Sequence, residues 1–320
     1  MYFVAGSKHL APGIRAWLRP PTPRSFVRPA GAVYATPIPP ARRSDGATDR
    51  PGTEAAVDLA LKGKRALITG STAGIGHAIA RLLAAEGAAV VLNGRTEPRV
   101  ADAARAIAQV VPGASVTGVA ADLSTAAGCE RLIRTVPDVD ILVNNAGIFE
   151  PKPFEQIPDA DWLRFFETNV LSGVRLARHY LPGLRARNWG RIIFVSSESA
   201  VQIPVEMIHY GMTKTAQIAV ARGLAEAVAG TGITVNSILP GPTRSEGVAS
   251  FVEQMARARG VSFDAMEREF FATARPSSLL RRFATVDEVA VMAVYLASPL
   301  ASATNGAAVR VDGGVVRAAL

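Results

Sequence analysis

"RALITGSTAGIGHAIARLLAAEG", residues 65 to 87, decides how the rest of the chain is read. Its opening apolar run suits a buried strand, its second half repeats apolar residues at helical spacing, and Gly70, Gly74 and Gly76 sit at the junction. Strand, glycine turn and helix in that order make an anion site. Glycine lets the backbone approach a pyrophosphate, and the free N–H groups at the helix start stabilise its charge. Ser71, Thr72 and Ile75 share the turn and belong to the same candidate contact surface. The spacing is GxxxGxG rather than the general GxGxxG, and a glycine-rich turn taken alone also suits a purely structural bend.

Downstream, "AAVVLNG" (88–94), "VTGVAAD" (116–122), "DILVNNAG" (140–147), "RIIFVSS" (191–197), "ITVNSILPG" (233–241) and "AAVRVDGG" (307–314) each read as a strand ending in small or polar residues. Such near-continuous apolar runs suit strands covered on both faces. Amphipathic stretches lie between them, at 75–86, at 99–110 and in a long one at 161–187. The alternation predicts an α/β fold, a single doubly wound parallel sheet with right-handed crossovers, running from about residue 58 to 320. A last helix opens at Thr285 with Glu288 three residues on, the spacing of a capping box.

The chain is 49% hydrophobic and carries a formal +8, unevenly spread. Residues 1 to 52 hold eight Lys and Arg against two Asp, which leaves only +2 for the remainder. A basic tail on a nearly neutral body gives no nucleic-acid groove, so nucleic acid is not an expected partner. The tail over 1–57, with "RPPTPR" and "PIPP", reads as a disordered extension. Its Arg excess resembles a transit peptide, but sparse Ser and the lack of an amphipathic helix favour an extended start with no address. No run approaches the ~18 apolar residues of a membrane span. Cys129 stands alone, which fits a reducing, cytoplasmic setting. His9, His77, His179 and His209 offer no ligand pair at close spacing, so no metal is expected.

The second strand ends "VVLNGRT", with Gly94 eighteen residues beyond Gly76. An acidic side chain near that offset would accept from the adenosine ribose 2′-hydroxyl of NAD. Arg95 stands there instead, with Arg99 close behind. A guanidinium fork suits a 2′-phosphate, so NADP is expected, with NAD possible.

In "HYGMTK", residues 209 to 214, Tyr210 and Lys214 lie four apart in a helical stretch and share one face. Free tyrosine ionises at about 10, so work near neutrality needs a shift of about three units, or ~4 kcal/mol. A lysine charge about 4 Å away at an effective dielectric of about 20 supplies ~4 kcal/mol. The expectation is a tyrosine general acid/base tuned by the lysine. His209 points to another face and is expected to be a bystander.

Taken in order, "TGSTAGIG" (69–76), "NNAG" (144–147), Asn169 in the long helix, "VSS" (195–197), Tyr210-x-x-x-Lys214 and "PGPT" (240–243) resemble the classical short-chain dehydrogenase/reductase family over about 59–314. The resemblance implies a Rossmann-type fold with a seven-stranded parallel sheet. It implies an NAD(P)-dependent oxidoreductase for a small carbonyl or alcohol, working as a homo-oligomer, either dimer or tetramer. Carried over by position, Asp122 and Leu123 meet the adenine, Asn144 the adenosine ribose, and Pro240 and Thr243 the nicotinamide. Ser197, thirteen residues before Tyr210 and preferred to Ser196, polarises the substrate oxygen. Asn169 helps hold a water in a relay to Lys214, which also binds the nicotinamide ribose. NADP-preferring relatives often place a basic residue within the turn, where this chain has Ser71 and Thr72, so NADP rests on Arg95.

Residues 244–284 match the family's lid over the substrate pocket. Phe263, Phe270 and Phe271 within it are expected to pack the lid down rather than face the substrate, and Glu198 and Arg244 are expected to be solvated. Two other readings stand beside this one. One is 3-oxoacyl carrier-protein reduction, with Arg175, Arg178, Arg185 and Arg187 meeting an acidic carrier. The other is a non-catalytic dinucleotide-binding regulator, whose mark would be a broken tetrad; Asn169, Ser197, Tyr210 and Lys214 are all present.

Overall fold

The computed structural model describes residues 57 to 319, so the extension expected before Val57 lies outside the described residues. Seven strands form one parallel sheet: β1 (Arg65–Ile68), β2 (Ala89–Gly94), β3 (Val116–Ala120), β4 (Ile141–Asn144), β5 (Gly190–Val195), β6 (Ile233–Pro240) and β7 (Ala308–Val311). Their order across the sheet is β3-β2-β1-β4-β5-β6-β7, and every neighbouring pair is parallel. Each falls inside one of the apolar runs singled out above.

Helices cover both faces. On one side lie α1 (Gly74–Ala85) and α2 (Glu97–Val110); on the other are α3 (Ala126–Thr135), α5 (Ser172–Arg187) and α6 (Ile208–Ala227). α4 (Asp159–Phe166) leads into α5 through a π-helical turn, Glu167–Leu171, so the expected long helix is continuous but underwound at Asn169. α9 (Val286–Ala297) returns to pack on α1's side of the sheet. Successive strand residues point to opposite faces, which is why Ala66 and Ile68 belong to one core and Leu67 to the other. Fully burying a side chain such as Leu67 or Ile68 contributes about 1.5–3 kcal/mol. The predicted capping box is present: Glu288 N donates to Thr285 Oγ1 at 3.1 Å and Thr285 N to Glu288 Oε2 at 2.7 Å.

α7 (Glu246–Arg259) and α8 (Phe263–Thr273) lie between β6 and α9. They enclose a core of their own, in which Val252, Ala256, Met266, Phe271 and Phe283 are buried. Phe270 stacks on Phe283 at 5.2 Å, and Phe263 packs on the same cluster. All three phenylalanines therefore hold this segment together, as expected.

The chain winds outward from β1 through β2 to β3, then restarts at β4 on β1's other flank. At that switch point the connections after β1 and β4 lead to opposite faces of the sheet, leaving a crevice outside the strand ends. The glycine turn, 69–76, and the NNAG segment, 144–147, both lie there.

Candidate active site

At the first end of the crevice the backbone does most of the shaping. Gly70 has φ +60°, the left-handed region that favours glycine. A Cβ on Gly76 would come within 2.4 Å of Asn145 Nδ2 and 2.7 Å of Gly70 O, so helix and turn can close only on glycine. Asn145 donates to Thr69 O at 2.9 Å and Gly70 O at 3.0 Å, which clamps the turn to the end of β4. The N-cap of α1 is Ala73, which offers no side-chain cap, and the helix has no acidic residue in its first turn. Its opening N–H groups thus face the crevice as an anion site, the fit that a dinucleotide pyrophosphate requires.

Several candidate contacts sit differently from the expectation. Ser71 is buried; its Oγ donates inward to Ile68 O at 2.7 Å and accepts from Asn93 N at 3.0 Å, so only its backbone can meet a cofactor. Leu123 belongs to the core and is limited in the same way. The Asn144 side chain is buried beside Gly173, with neither polar atom hydrogen-bonded, so it turns into the helix layer rather than toward a ribose. Asn145 is the residue that the sequence reading missed. Asp122 is exposed at the end of β3 and accepts from Ser124 N and Oγ, leaving its edge at the crevice. Thr72 lies over Gly94, next to the exposed Arg95, and Arg99 pairs with Glu246 at 3.4 Å. A cleft of about 920 Å³, bounded by Thr72, Gly74, His77, Arg81 and Arg99, runs from the turn between α1 and α2. Pro240 and Thr243 are buried at the exit of β6, where Thr243 Oγ1 donates to Gly241 O at 2.9 Å.

The second end is made of buried side chains. Lys214 Nζ donates to Val195 O at 2.9 Å and to Gln217 Oε1 at 3.1 Å, and lies 5.5 Å from the Tyr210 ring centre. Gln217 Nε2 donates in turn to Asn169 O at 2.6 Å, so a glutamine also links the lysine to the asparagine expected to help hold the relay water. The π-turn explains why that carbonyl is available, since it shifts the helix's own bonding by one residue. The Asn169 side chain is fully engaged: Oδ1 accepts from Ile148 N at 2.8 Å, and Nδ2 donates to Ile148 O and Thr213 Oγ1, both at 3.0 Å. Ser196 Oγ donates to Lys214 O at 2.8 Å and is committed to holding α6, which leaves Ser197 as the serine at the site.

The protonation pattern reverses the simple expectation. Burial pushes the Tyr210 phenol above its ordinary value, and a hydrogen bond with Ser197 draws it partly back. Burial pushes Lys214 down to about 7. The upward shift of the phenol comes first from its own burial, which penalises the tyrosinate, a cost the two-charge estimate left out. His209 is fully buried against Phe165 at 4.0 Å with both ring nitrogens unpartnered, and burial lowers its pKa, so it stays a bystander to the reacting face.

Glu198 was expected in solvent and is found buried. Its Oε2 accepts from Ser197 Oγ at 2.5 Å, Ser199 N at 2.7 Å and Ser199 Oγ at 2.9 Å. Its Oε1 accepts from Arg275 Nε at 3.2 Å, and Arg275 Nη1 reaches Glu206 Oε1 at 3.5 Å. Such a charge is buried only because it is paired and bonded on every side. Arg244 is exposed but lies 4.3 Å over the Phe263 ring. Of the arginines suggested for a carrier protein, Arg175 is paired with Glu167, Arg187 with Asp138, and Arg185 donates to Ala227 O. Among the described residues no group of acidic, His or Cys side chains forms a metal cluster, and no helix is long and apolar enough to cross a membrane.

A family profile described as short chain dehydrogenase matches residues 64–256. The uncharacterized oxidoreductase YvaG of Bacillus subtilis is 46% identical over 259 residues, covering 81% of this chain and 98% of its own. D-beta-hydroxybutyrate dehydrogenase of Cupriavidus necator is 38% identical over 261 residues, covering 80% of this chain and 99% of its own. L-sorbose reductase from Gluconobacter frateurii, solved with NADPH and L-sorbose, aligns with a TM-score of 0.78 at 34% identity, over 82% of this chain and 100% of that one. Sheet order, glycine turn, the Tyr210–Lys214 pair on one helix and these full-length relatives agree: the chain belongs to the short-chain dehydrogenase family of NAD(P)-dependent oxidoreductases.

Proposed function

We propose that this protein is an NADP-preferring oxidoreductase of a small ketone or alcohol in which Tyr210 is the general acid/base, Ser197 polarises the substrate oxygen and Lys214 supports both tyrosine and cofactor. The observation that carries it is the convergence of Ser197, Tyr210 and Lys214 at the crevice end opposite the glycine turn. A nicotinamide cofactor held by these residues would supply the hydride chemistry at the substrate carbon. With its phenol held above the ordinary value, Tyr210 keeps its proton near neutrality and is poised to donate it to a carbonyl oxygen. Ser197 donates a hydrogen bond to the same oxygen as negative charge develops there.

Gly70, Gly74, Ile75 and Gly76 would hold the pyrophosphate, with Ser71 contributing its backbone alone. Thr72 and Arg95 would hold a 2′-phosphate, Asp122 and the Leu123 backbone the adenine, and Pro240 and Thr243 the nicotinamide side. Lys214 would reach the ribose from its seat on Val195 O, while Asn169, through Gln217, keeps that seat in place. The buried, unpaired Cys129 supports a reducing, cytoplasmic setting, and the family supports a homo-oligomer, dimer or tetramer, which light scattering would read.

A panel of ketoses, 3-hydroxy acids and 3-oxoacyl thioesters, each assayed with NADPH or NADP by cofactor absorbance, tests the reading. Turnover of at least one member supports it. Cofactor binding with no turnover of any member would favour the regulator instead.

A further inference from the structure

Glu198 presents a difficulty for the reaction just proposed. A serine hydroxyl has one proton, and although Ser197 Oγ also lies within hydrogen-bonding reach of the Tyr210 phenol, its short contact is to Glu198 Oε2 at 2.5 Å. The Ser199 N–H donates to Ser197 Oγ at 3.1 Å, so the oxygen is also occupied as an acceptor. A substrate oxygen can accept a hydrogen bond from the serine only by drawing its hydroxyl away from a carboxylate. An uncompensated carboxylate one hydrogen bond away would also oppose the negative charge growing on that oxygen.

The compensation comes from a distant part of the chain. Arg275 follows α8, in the segment whose buried core is separate from those of the sheet. Arg275 and Glu198 side chains are 11% and 6% exposed, and their 3.2 Å contact spans 77 positions. Glu206, 20% exposed, takes the other side of the guanidinium, and Ala274 O accepts from Nη1 at 2.9 Å. Arg275 is thus fixed by its own backbone and a second carboxylate in the place where it shares the charge of Glu198. The two act on the phenol in opposite senses, with Glu198 raising the Tyr210 pKa and Arg275 lowering it.

We propose that Arg275 is a positioning residue of the reaction: docked on Glu198, it shares the charge of the carboxylate that accepts from Ser197 Oγ and so frees that hydroxyl to donate its hydrogen bond to the substrate oxygen, while the transferred proton comes from Tyr210. This rests on the roles given above to Ser197 and Tyr210. Docking of the 244–284 segment then does more than cover substrate, because it delivers the charge that makes Ser197 available.

The experiment compares wild type with Arg275→Met, Glu198→Gln, the double variant, Arg275→Lys and Tyr210→Phe. Turnover is measured on whichever panel ketone wild type reduces fastest, and NADPH affinity by fluorescence titration. Arg275→Met should lower kcat about thirtyfold or more, because one partner of a buried pair is left unpaired, with NADPH affinity within about twofold. Glu198→Gln alone should lose less than about tenfold, and the double variant should be faster than Arg275→Met by about tenfold. That sign of coupling follows from removing an unpaired charge and not from loss of packing, which would make the double variant the slowest. If Arg275→Met no longer binds NADPH, Arg275→Lys decides: kcat within about tenfold of wild type supports charge neutralisation, and a larger loss with intact NADPH binding overturns it.

Wild-type kcat in Arg275→Met, or no rescue in the double variant, would overturn the proposal. Tyr210→Phe separates the two levels. If it keeps turnover, the underlying mechanism has failed; if it is inactive while rescue is absent, only the role of Arg275 has.

Discussion

The two ends of the crevice are built from different materials. At the glycine turn the contacts are backbone ones, and what matters is the absence of atoms: Gly70 at positive φ, and Gly76 with no room for a Cβ. At the tyrosine end the contacts are buried side chains (Ser197, Glu198, Asn169, Lys214, Gln217), each tied to at least one other polar group. A backbone site recognises a feature common to all dinucleotides and tolerates change in its exposed side chains. A buried polar network recognises a particular charge distribution, and losing one member leaves others unpaired.

The largest expected effect falls on the side-chain end. Tyr210→Phe keeps the ring and its edge contact with Phe149 but deletes the proposed proton donor. Turnover should fall at least about a hundredfold, with NADPH affinity preserved, as single-turnover and titration data would show. Near-normal turnover would break the comparison by moving the chemistry elsewhere.

Gly76→Ala tests the backbone end. The added methyl must displace Asn145 or open the turn, so stability should fall by about 1–3 kcal/mol in denaturant titration. NADPH affinity should fall with it, whereas a comparable substitution at exposed Arg105 should do neither.

Lys214 gives a pH signature. Its folded pKa of about 7 is depressed, so between there and its ordinary value the unfolded chain holds a proton that the folded one has shed. The stability penalty is complete below about pH 7 and fades as pH rises toward about 10. Lys214→Met lacks that titration. Its stability relative to wild type should therefore be more favourable at about pH 6 than at about pH 9, by on the order of 2 kcal/mol. A pH-independent difference would mean that the ammonium is better solvated than its contacts imply.

Arg95→Asp should reverse cofactor preference by about tenfold or more, ~1.4 kcal/mol, judged from NADPH and NADH titrations of both proteins. Equal preference in wild type would remove Arg95 from the site. The smallest effect belongs to Thr285→Ala, which deletes one half of the α9 capping box without removing any proposed catalytic or cofactor-binding side chain and should lower stability by about 1 kcal/mol without altering cofactor choice.

What the sequence determined follows from local physics. Strands buried on both faces must be apolar throughout, so all seven were visible as runs, and the glycine turn, the Thr285 cap and the Tyr210–Lys214 face depend on spacings of a few residues. The packing of Phe263, Phe270 and Phe271 was legible too, because aromatic residues at helical spacing seldom find a better place than a core. Tertiary structure alone decided which polar groups were desolvated together. Glu198 looked like a surface charge until Arg275 arrived from 77 positions away, and Ser71 and Asn144 looked like cofactor contacts until their side chains turned inward. The direction of the Tyr210 and Lys214 shifts depended on the same thing. A pairwise charge estimate can be made from spacing, but the loss of solvation that outweighs it depends on every neighbour that excludes water, and those neighbours come from β5, the π-turn and α6 at once.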